Sequence, residues 1–200
     1  MSVHSGLSNQ VILASASPRR KKLLSEIIAS FKIIHPVVEE NIFSLGMLTP
    51  CQYVKYLAKA KALSVASRLK AGIVIGTDTI VYAGGEIIGK PKTHAASMAI
   101  LKKISGKRQY IITGVCLINI NNGNAVCDCE STTVYMKKLA PEEITRLAYS
   151  KRHYNKAGGY AIQEQGDRYI RIIKGNMDNA VGLPLGLVKR LMKQVSKTGK

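Results

Sequence analysis

Apolar positions along this chain fall in short runs of two kinds, some continuous and some at helical spacing, with turn residues between them. Gln10 to Ala14 is a continuous apolar run and predicts a strand; Pro18 to Ala29 predicts a helix and Phe31 to Val38 a second strand. Thr49-Pro50 opens a longer helix in which Val54, Leu57, Ala58, Lys61, Ala62 and Val65 recur on one side to about Leu69, and Gly72 ends it. The β-branched run Ile73 to Ala83, the pair Gly84-Gly85 and the short run Glu86 to Ile88 predict a hairpin. Thr93 then caps a helix through Ile104, which Ser105-Gly106 stops. Arg108 to Ile120 and Ala125 to Met136 are long β-rich runs joined by Asn121-Asn122-Gly123-Asn124, a second hairpin signal. Pro141-Glu142-Glu143 starts a helix to Tyr149 with its acids suited to the dipole. Arg168 to Ile173 reads as a strand, and a final amphipathic helix follows Gly182-Leu183-Pro184-Leu185, docked by Leu187, Leu191 and Val195. Alternating strands and helices predict an α/β fold.

Composition narrows this picture. With 200 residues and 46% hydrophobic content, one domain with a sizeable core is expected over residues 10–195, flanked by a flexible N-terminus 1–9 and a basic tail 196–200. Apolar runs are too short to span a bilayer and the N-terminus lacks a charged region followed by an apolar stretch, so a soluble, cytoplasmic protein is expected, with no membrane partner. Cys51, Cys116, Cys127 and Cys129 lack paired CxxC spacing and are expected as buried or half-buried reduced thiols. The net charge of +18 admits nucleic acid as a partner. The cations are dispersed, however, and no zinc finger, helix-turn-helix or aromatic RNA-binding strand accompanies them, so specific nucleic-acid binding is not expected. A positive surface also steers a polyanionic small substrate.

Chemistry concentrates in a few places. Val11 to Ala14 runs into Ser15-Ala16-Ser17-Pro18-Arg19-Arg20, where Ser17 suits an N-cap and Pro18 the first helical position. Cations at a helix start oppose the dipole, an arrangement that makes sense when an anion joins them. Asp78 interrupts an apolar strand at Gly76-Thr77-Asp78-Thr79, and a carboxylate there is costly unless paired or bound to a metal. An Asx turn ending the strand is disfavoured, because Ile80-Val81-Tyr82 continue it. Glu39-Glu40 could bring a second carboxylate to hold a divalent cation with Asp78. Lys61 lies on the apolar stripe of its helix and Lys90 in the rigid Gly89-Lys90-Pro91 turn. Gln163 follows the Gly-rich Ala157-Gly158-Gly159-Tyr160, and its amide, which donates and accepts at once, suits either a nucleobase edge or neighbouring backbone.

In this order the segments resemble the Maf family of nucleoside triphosphate pyrophosphatases, also called septum formation or septum inhibition proteins. The resemblance covers Val11 to Leu187 through Ala14 to Arg20, Glu40, Lys61-Ala62, Gly76 to Thr79, Gly89-Lys90-Pro91, Ser105-Gly106, Thr113-Gly114-Val115, Lys156 to Tyr160 and Gly182 to Leu185. It implies a fold like that of the inosine triphosphate pyrophosphatases, a twisted mixed β-sheet flanked by helices, with two lobes around a central cleft. It further implies hydrolysis of a nucleoside triphosphate to the monophosphate and pyrophosphate with a divalent cation, magnesium or manganese, in nucleotide-pool cleansing or septum inhibition. By motif, Asp78 would activate water, and Glu40 with Asp78 would hold the metal. Ser15, Arg19, Lys61 and Lys90 would grip phosphates, while Arg20, Thr79 and Gln163 would choose the base. The form Gly-Gly-Tyr-Ala-Ile-Gln matches the subgroup acting on dTTP and UTP. Tyr110 stands where that pattern usually has His. Two alternatives stay open: a pyrophosphatase for another or modified nucleotide, and a basic nucleic-acid- or partner-binding protein on a retained nucleotide fold. A homodimer is also open.

Overall fold

Hydrophobic patterning places the elements where backbone chemistry allows them to start and stop. The computed structural model describes residues 10–38, 48–149 and 168–197. In chain order these form β1 (Val11–Ala14), α1 (Pro18–Ser25), β2 (Lys32–Ile34), α2 (Pro50–Ala66), β3 (Ile73–Ala83), β4 (Glu86–Ile88) and α3 (His94–Ile104). There follow β5 (Arg108–Asn119), β6 (Ala125–Met136), α4 (Pro141–Tyr149), β7 (Ile170–Lys174), α5 (Met177–Val181) and α6 (Leu185–Val195). The expected N-terminal segment 1–9 and the last three residues of the expected tail 196–200 lie outside the described residues.

Three helix starts carry the side-chain caps that the sequence anticipates. Ser17 accepts from the Arg20 amide with Pro18 inside the first turn, and Thr93 accepts from the Ala96 amide. At α2, Thr49 and Gln52 form a reciprocal capping box. Strand β7 spans Ile170–Lys174, shifted from Arg168 to Ile173, and two elements fall well short of expectation. Helix α1 stops at Ser25, short of Ala29, because its last bonds tighten to Glu26 N–H with Leu23 O and Ile27 N–H with Leu24 O. Strand β2 spans only Lys32–Ile34, the stretch paired with β1, and not Phe31 to Val38. Helix α5 was not anticipated; five residues are too few to show a helical period.

The seven strands form one mixed sheet in the order β2-β1-β3-β5-β6-β7, with β4 paired to β3. Strand β1 runs parallel to both β2 and β3, whereas β4 is antiparallel to β3 and β7 to β6. The chain divides into two compact units. The first holds the described residues up to Asp78, with Thr113–Glu130 and those from Gly182 on; the second holds Thr79–Ile112 and the described residues of Ser131–Val181. Each has its own core. In the first, Ile12, Ala14 and Val74 of the sheet meet Ala58, Ala62 and Val65 of α2. In the second, Val81, Ile111, Val134 and Met136 meet Leu101, Ile104, Ile144 and Leu147 from α3 and α4. Leu187, Leu191 and Val195 of α6 are buried, as its amphipathic pattern requires. Among the described residues no helix is long and apolar enough to cross a membrane.

The seat of α2 depends on two glycines. A Cβ at Gly76 would stand 2.2 Å from the Ala58 carbonyl oxygen, and one at Gly114 would stand 2.3 Å from that of Val54. Helix backbone therefore lies directly on β3 and β5. The cysteines, expected as reduced thiols, are instead paired: Cys51 of α2 with Cys129 of β6, and Cys116 of β5 with Cys127 of β6, with Cα separations of 5.9 and 4.0 Å. Spacing along the chain could not show this, since one pairing depends on the β5–β6 register and the other on where α2 lands. Arg190 of α6 also reaches Asp128 of β6 at 2.7 Å and holds its carboxyl below the usual range, a half-exposed pair that contributes at most about 1 kcal/mol.

Two outcomes follow from these contacts. Gly76→Ala and Gly114→Ala should each lower the unfolding free energy by about 3 kcal/mol or more in urea titration, because backbone must shift to admit the methyl. Gly85→Ala, which meets open space at φ +86°, should cost about 1 kcal/mol. Thiol titration of the protein, purified and unfolded without reductant, should find no free cysteine; four reactive thiols would refute the pairing.

Candidate active site

Strand β1 ends at Ala14, and the chain turns through Ser15-Ala16-Ser17 into α1. Ser15 is buried, and its hydroxyl oxygen accepts from the Ser17 amide at 3.2 Å and from Arg20 Nη1 at 3.4 Å. Arg20 also donates through Nε to the Gly182 carbonyl at 2.9 Å and through Nη1 to the Thr77 carbonyl at 3.2 Å. Thr77 is wholly buried in β3, and its hydroxyl donates to the same Gly182 oxygen at 3.5 Å. Ser15, Arg20 and the first turn of α1 thus stand at the end of β1, a setting suited to an anion.

One residue beyond Thr77, Asp78 Oδ1 accepts from Lys61 Nζ at 2.5 Å. Both side chains are about nine-tenths buried, at 10% and 9% exposure. The reason lies in the seat of α2: with Ala58 and Ala62 against Gly76, position 61 falls toward the strand, and only the long lysine stem carries a charge to Asp78. Uncompensated, either charge would be costly there, and together they stabilise each other.

Ser15, Arg20, Lys61 and Asp78 are therefore assembled within the first unit, with Thr77 and Gly182 as members the sequence reading missed as site groups. Thr77 carried a signal as a hydroxyl in an apolar run, and Gly182 belonged to a noted motif. Arg19, half-buried, begins α1 beside Arg20. Thr79 follows Asp78 on the opposite face of β3 and is half-buried, and Lys90 is exposed after β4; both belong to the second unit. Glu40 and Gln163 lie outside the described residues.

Among the described residues no group of three or more His, Cys, Asp or Glu could hold a metal ion. A magnesium-like cation, however, is commonly held by one or two carboxylates together with substrate phosphates and water. Asp78 supplies one such carboxylate, paired with Lys61, so among the described residues the donor set fits a hard cation that arrives with a polyphosphate and does not fit an all-protein cage.

A family model described as Maf-like protein matches residues 10–195. A dTTP/UTP pyrophosphatase of Ruminiclostridium cellulolyticum is 39% identical over 187 residues, covering 94% of this chain and 96% of its own. Another protein of that name, from Methanosarcina barkeri, is 37% identical over 190 residues, covering 95% and 94%. Among solved structures, a HAM1 protein from Coxiella burnetii aligns over 92% of this chain and 99% of its own, with 15% identity and a TM-score of 0.48. By the family match over residues 10–195 and the identity of these relatives along nearly the whole length, the chain belongs to the Maf family.

Proposed function

We propose that this protein is a nucleoside triphosphate pyrophosphatase that hydrolyses dTTP and UTP to the monophosphate and pyrophosphate. The observation that carries the reading is the buried Lys61–Asp78 pair, one residue beyond the Thr77 carbonyl that Arg20 links to Ser15, in a chain whose relatives bear the name dTTP/UTP pyrophosphatase. A sheltered carboxylate next to cations is what hydrolysis of a polyphosphate needs: a proton acceptor, and positive charge for the leaving group.

In the proposed reaction a water oxygen bonds to the α-phosphorus while its proton passes to the Asp78 carboxylate. The bond from the α-phosphorus to the oxygen bridging it to the β-phosphorus breaks, and pyrophosphate leaves with that electron pair. Lys61 holds Asp78 Oδ1 in place, fixing the orientation of the acceptor before water arrives. Ser15, Arg19 and Lys61 bind phosphate oxygens, with Lys90 as a further cation. Asp78 and Glu40 would hold a divalent cation, magnesium or manganese. Such an ion would supply positive charge to offset that of the phosphates. Thr79 and Gln163 are assigned to base choice; an amide that pairs with a pyrimidine edge would be left unpaired by other bases, which gives discrimination.

A panel of nucleoside triphosphates assayed for pyrophosphate release with magnesium or manganese should show dTTP and UTP as preferred substrates; no turnover on any nucleotide would reject the reading. Asp78→Asn should lower kcat by at least about 1,000-fold while nucleotide binding stays measurable, since a base acts on the transition state more than on the bound substrate. Full activity in that variant would remove Asp78 from the mechanism.

A further inference from the structure

We infer that Arg20 is a positioning residue that makes Ser15 a dedicated hydrogen-bond donor to a phosphate oxygen, and that it does not read the nucleobase. The inference rests on the phosphate-binding part of the proposed function, and it reassigns a side chain that the family resemblance links to base choice.

Arg20 has at least three acceptors. Ser15 Oγ lies in the β1–α1 turn, the Thr77 carbonyl in β3, and the Gly182 carbonyl directly after α5. Arg20 donates to all three through Nε and Nη1, so the planar fork ties together segments separated by up to 162 positions in sequence. The Thr77 hydroxyl donates to the same Gly182 oxygen and closes the network. The Thr77 carbonyl belongs to the peptide unit that leads into Asp78. Holding it fixes the peptide plane from which the carboxylate departs.

The consequence for Ser15 is a matter of counting. A serine hydroxyl offers two lone pairs and one proton. Here the Ser17 amide and Arg20 Nη1 both donate to Ser15 Oγ, which fills both lone pairs. What remains is the O–H, and the group it suits is an acceptor. An anionic oxygen above the α1 start meets that requirement, and donation to a charged acceptor gives a strong bond. If Arg20 were removed, a lone pair would reopen and the hydroxyl could rotate, while the Gly182 and Thr77 carbonyls would each lose a donor. Lysine keeps the charge but cannot span three acceptors with a rigid fork.

Inorganic tripolyphosphate, which has no base, separates this role from base reading and needs no turnover. Its binding by calorimetry should weaken about tenfold or more in Arg20→Lys and in Ser15→Ala. The double variant should be little worse than either alone, because the two changes remove the same bond. In the pyrophosphatase assay Arg20→Lys should lower kcat on dTTP, UTP and poor substrates by one common factor, leaving the dTTP-to-CTP ratio within twofold of the parent. Guanidinium added to Arg20→Ala should recover part of the loss, and equal unfolding midpoints for parent and Arg20→Lys would set aside misfolding. Unchanged tripolyphosphate affinity with an altered dTTP-to-CTP ratio would overturn the inference, as would additive losses in the double variant. A parent protein that binds tripolyphosphate without hydrolysing any nucleotide would reject the proposed reaction and leave the Arg20 test decisive by binding. A parent that binds no tripolyphosphate would overturn both.

Discussion

The ion pair between Lys61 and Asp78 is the constraint on which the first unit is organised. Taking each ion out of water costs several kcal/mol by order of magnitude, and an apolar pair of similar volume is often as stable or more so. Stability alone thus gives no reason to place an ammonium and a carboxylate 2.5 Å apart at about 10% exposure. The pair holds a carboxylate in one orientation, as the proposed reaction would require. The contacts that seat α2 bring Lys61 to it. Gly76 and Gly114 let helix backbone lie on the sheet, and Cys51 secures the first turn of the helix to β6.

A second set of bonds approaches Asp78 from the other side. Arg20 holds the carbonyl of Thr77, and Thr77 and Arg20 converge on the Gly182 oxygen. The acid is therefore fixed through its side chain by Lys61 and through the preceding peptide by Arg20. Preorganisation of this kind lowers the reorganisation a reaction must undergo, and it works best in a shielded site. The high positive charge fits the same picture at longer range, since a basic surface steers a polyphosphate toward its binding groups.

Much of this was legible in the chain. Strands β3, β4 and β6 and helix α4 match their expected spans, because unbroken β-branched runs, glycine turns and a proline-led acidic first turn leave little choice. Asp78 and Lys61 stood out as charges on apolar patterns, and burial with each other accounts for both. What stayed hidden depends on distance in sequence. The Arg20 network needs Gly182 brought to the end of β1, and no local pattern announces that approach. The cysteine pairing needs the β5–β6 register and the landing point of α2. The shorter α1 and β2 reflect local bonding: α1 closes with tight turns, and β2 has pairing from β1 over three residues only.

In the proposed reaction this site directs water to the α-phosphorus of a nucleoside triphosphate. Hydrolysis of dTTP in oxygen-18 water, followed by mass analysis of both products, tests it most directly. Attack at the α-phosphorus places one labelled oxygen in the monophosphate and none in pyrophosphate. Label found in pyrophosphate, or release of inorganic phosphate in place of pyrophosphate, would contradict the account.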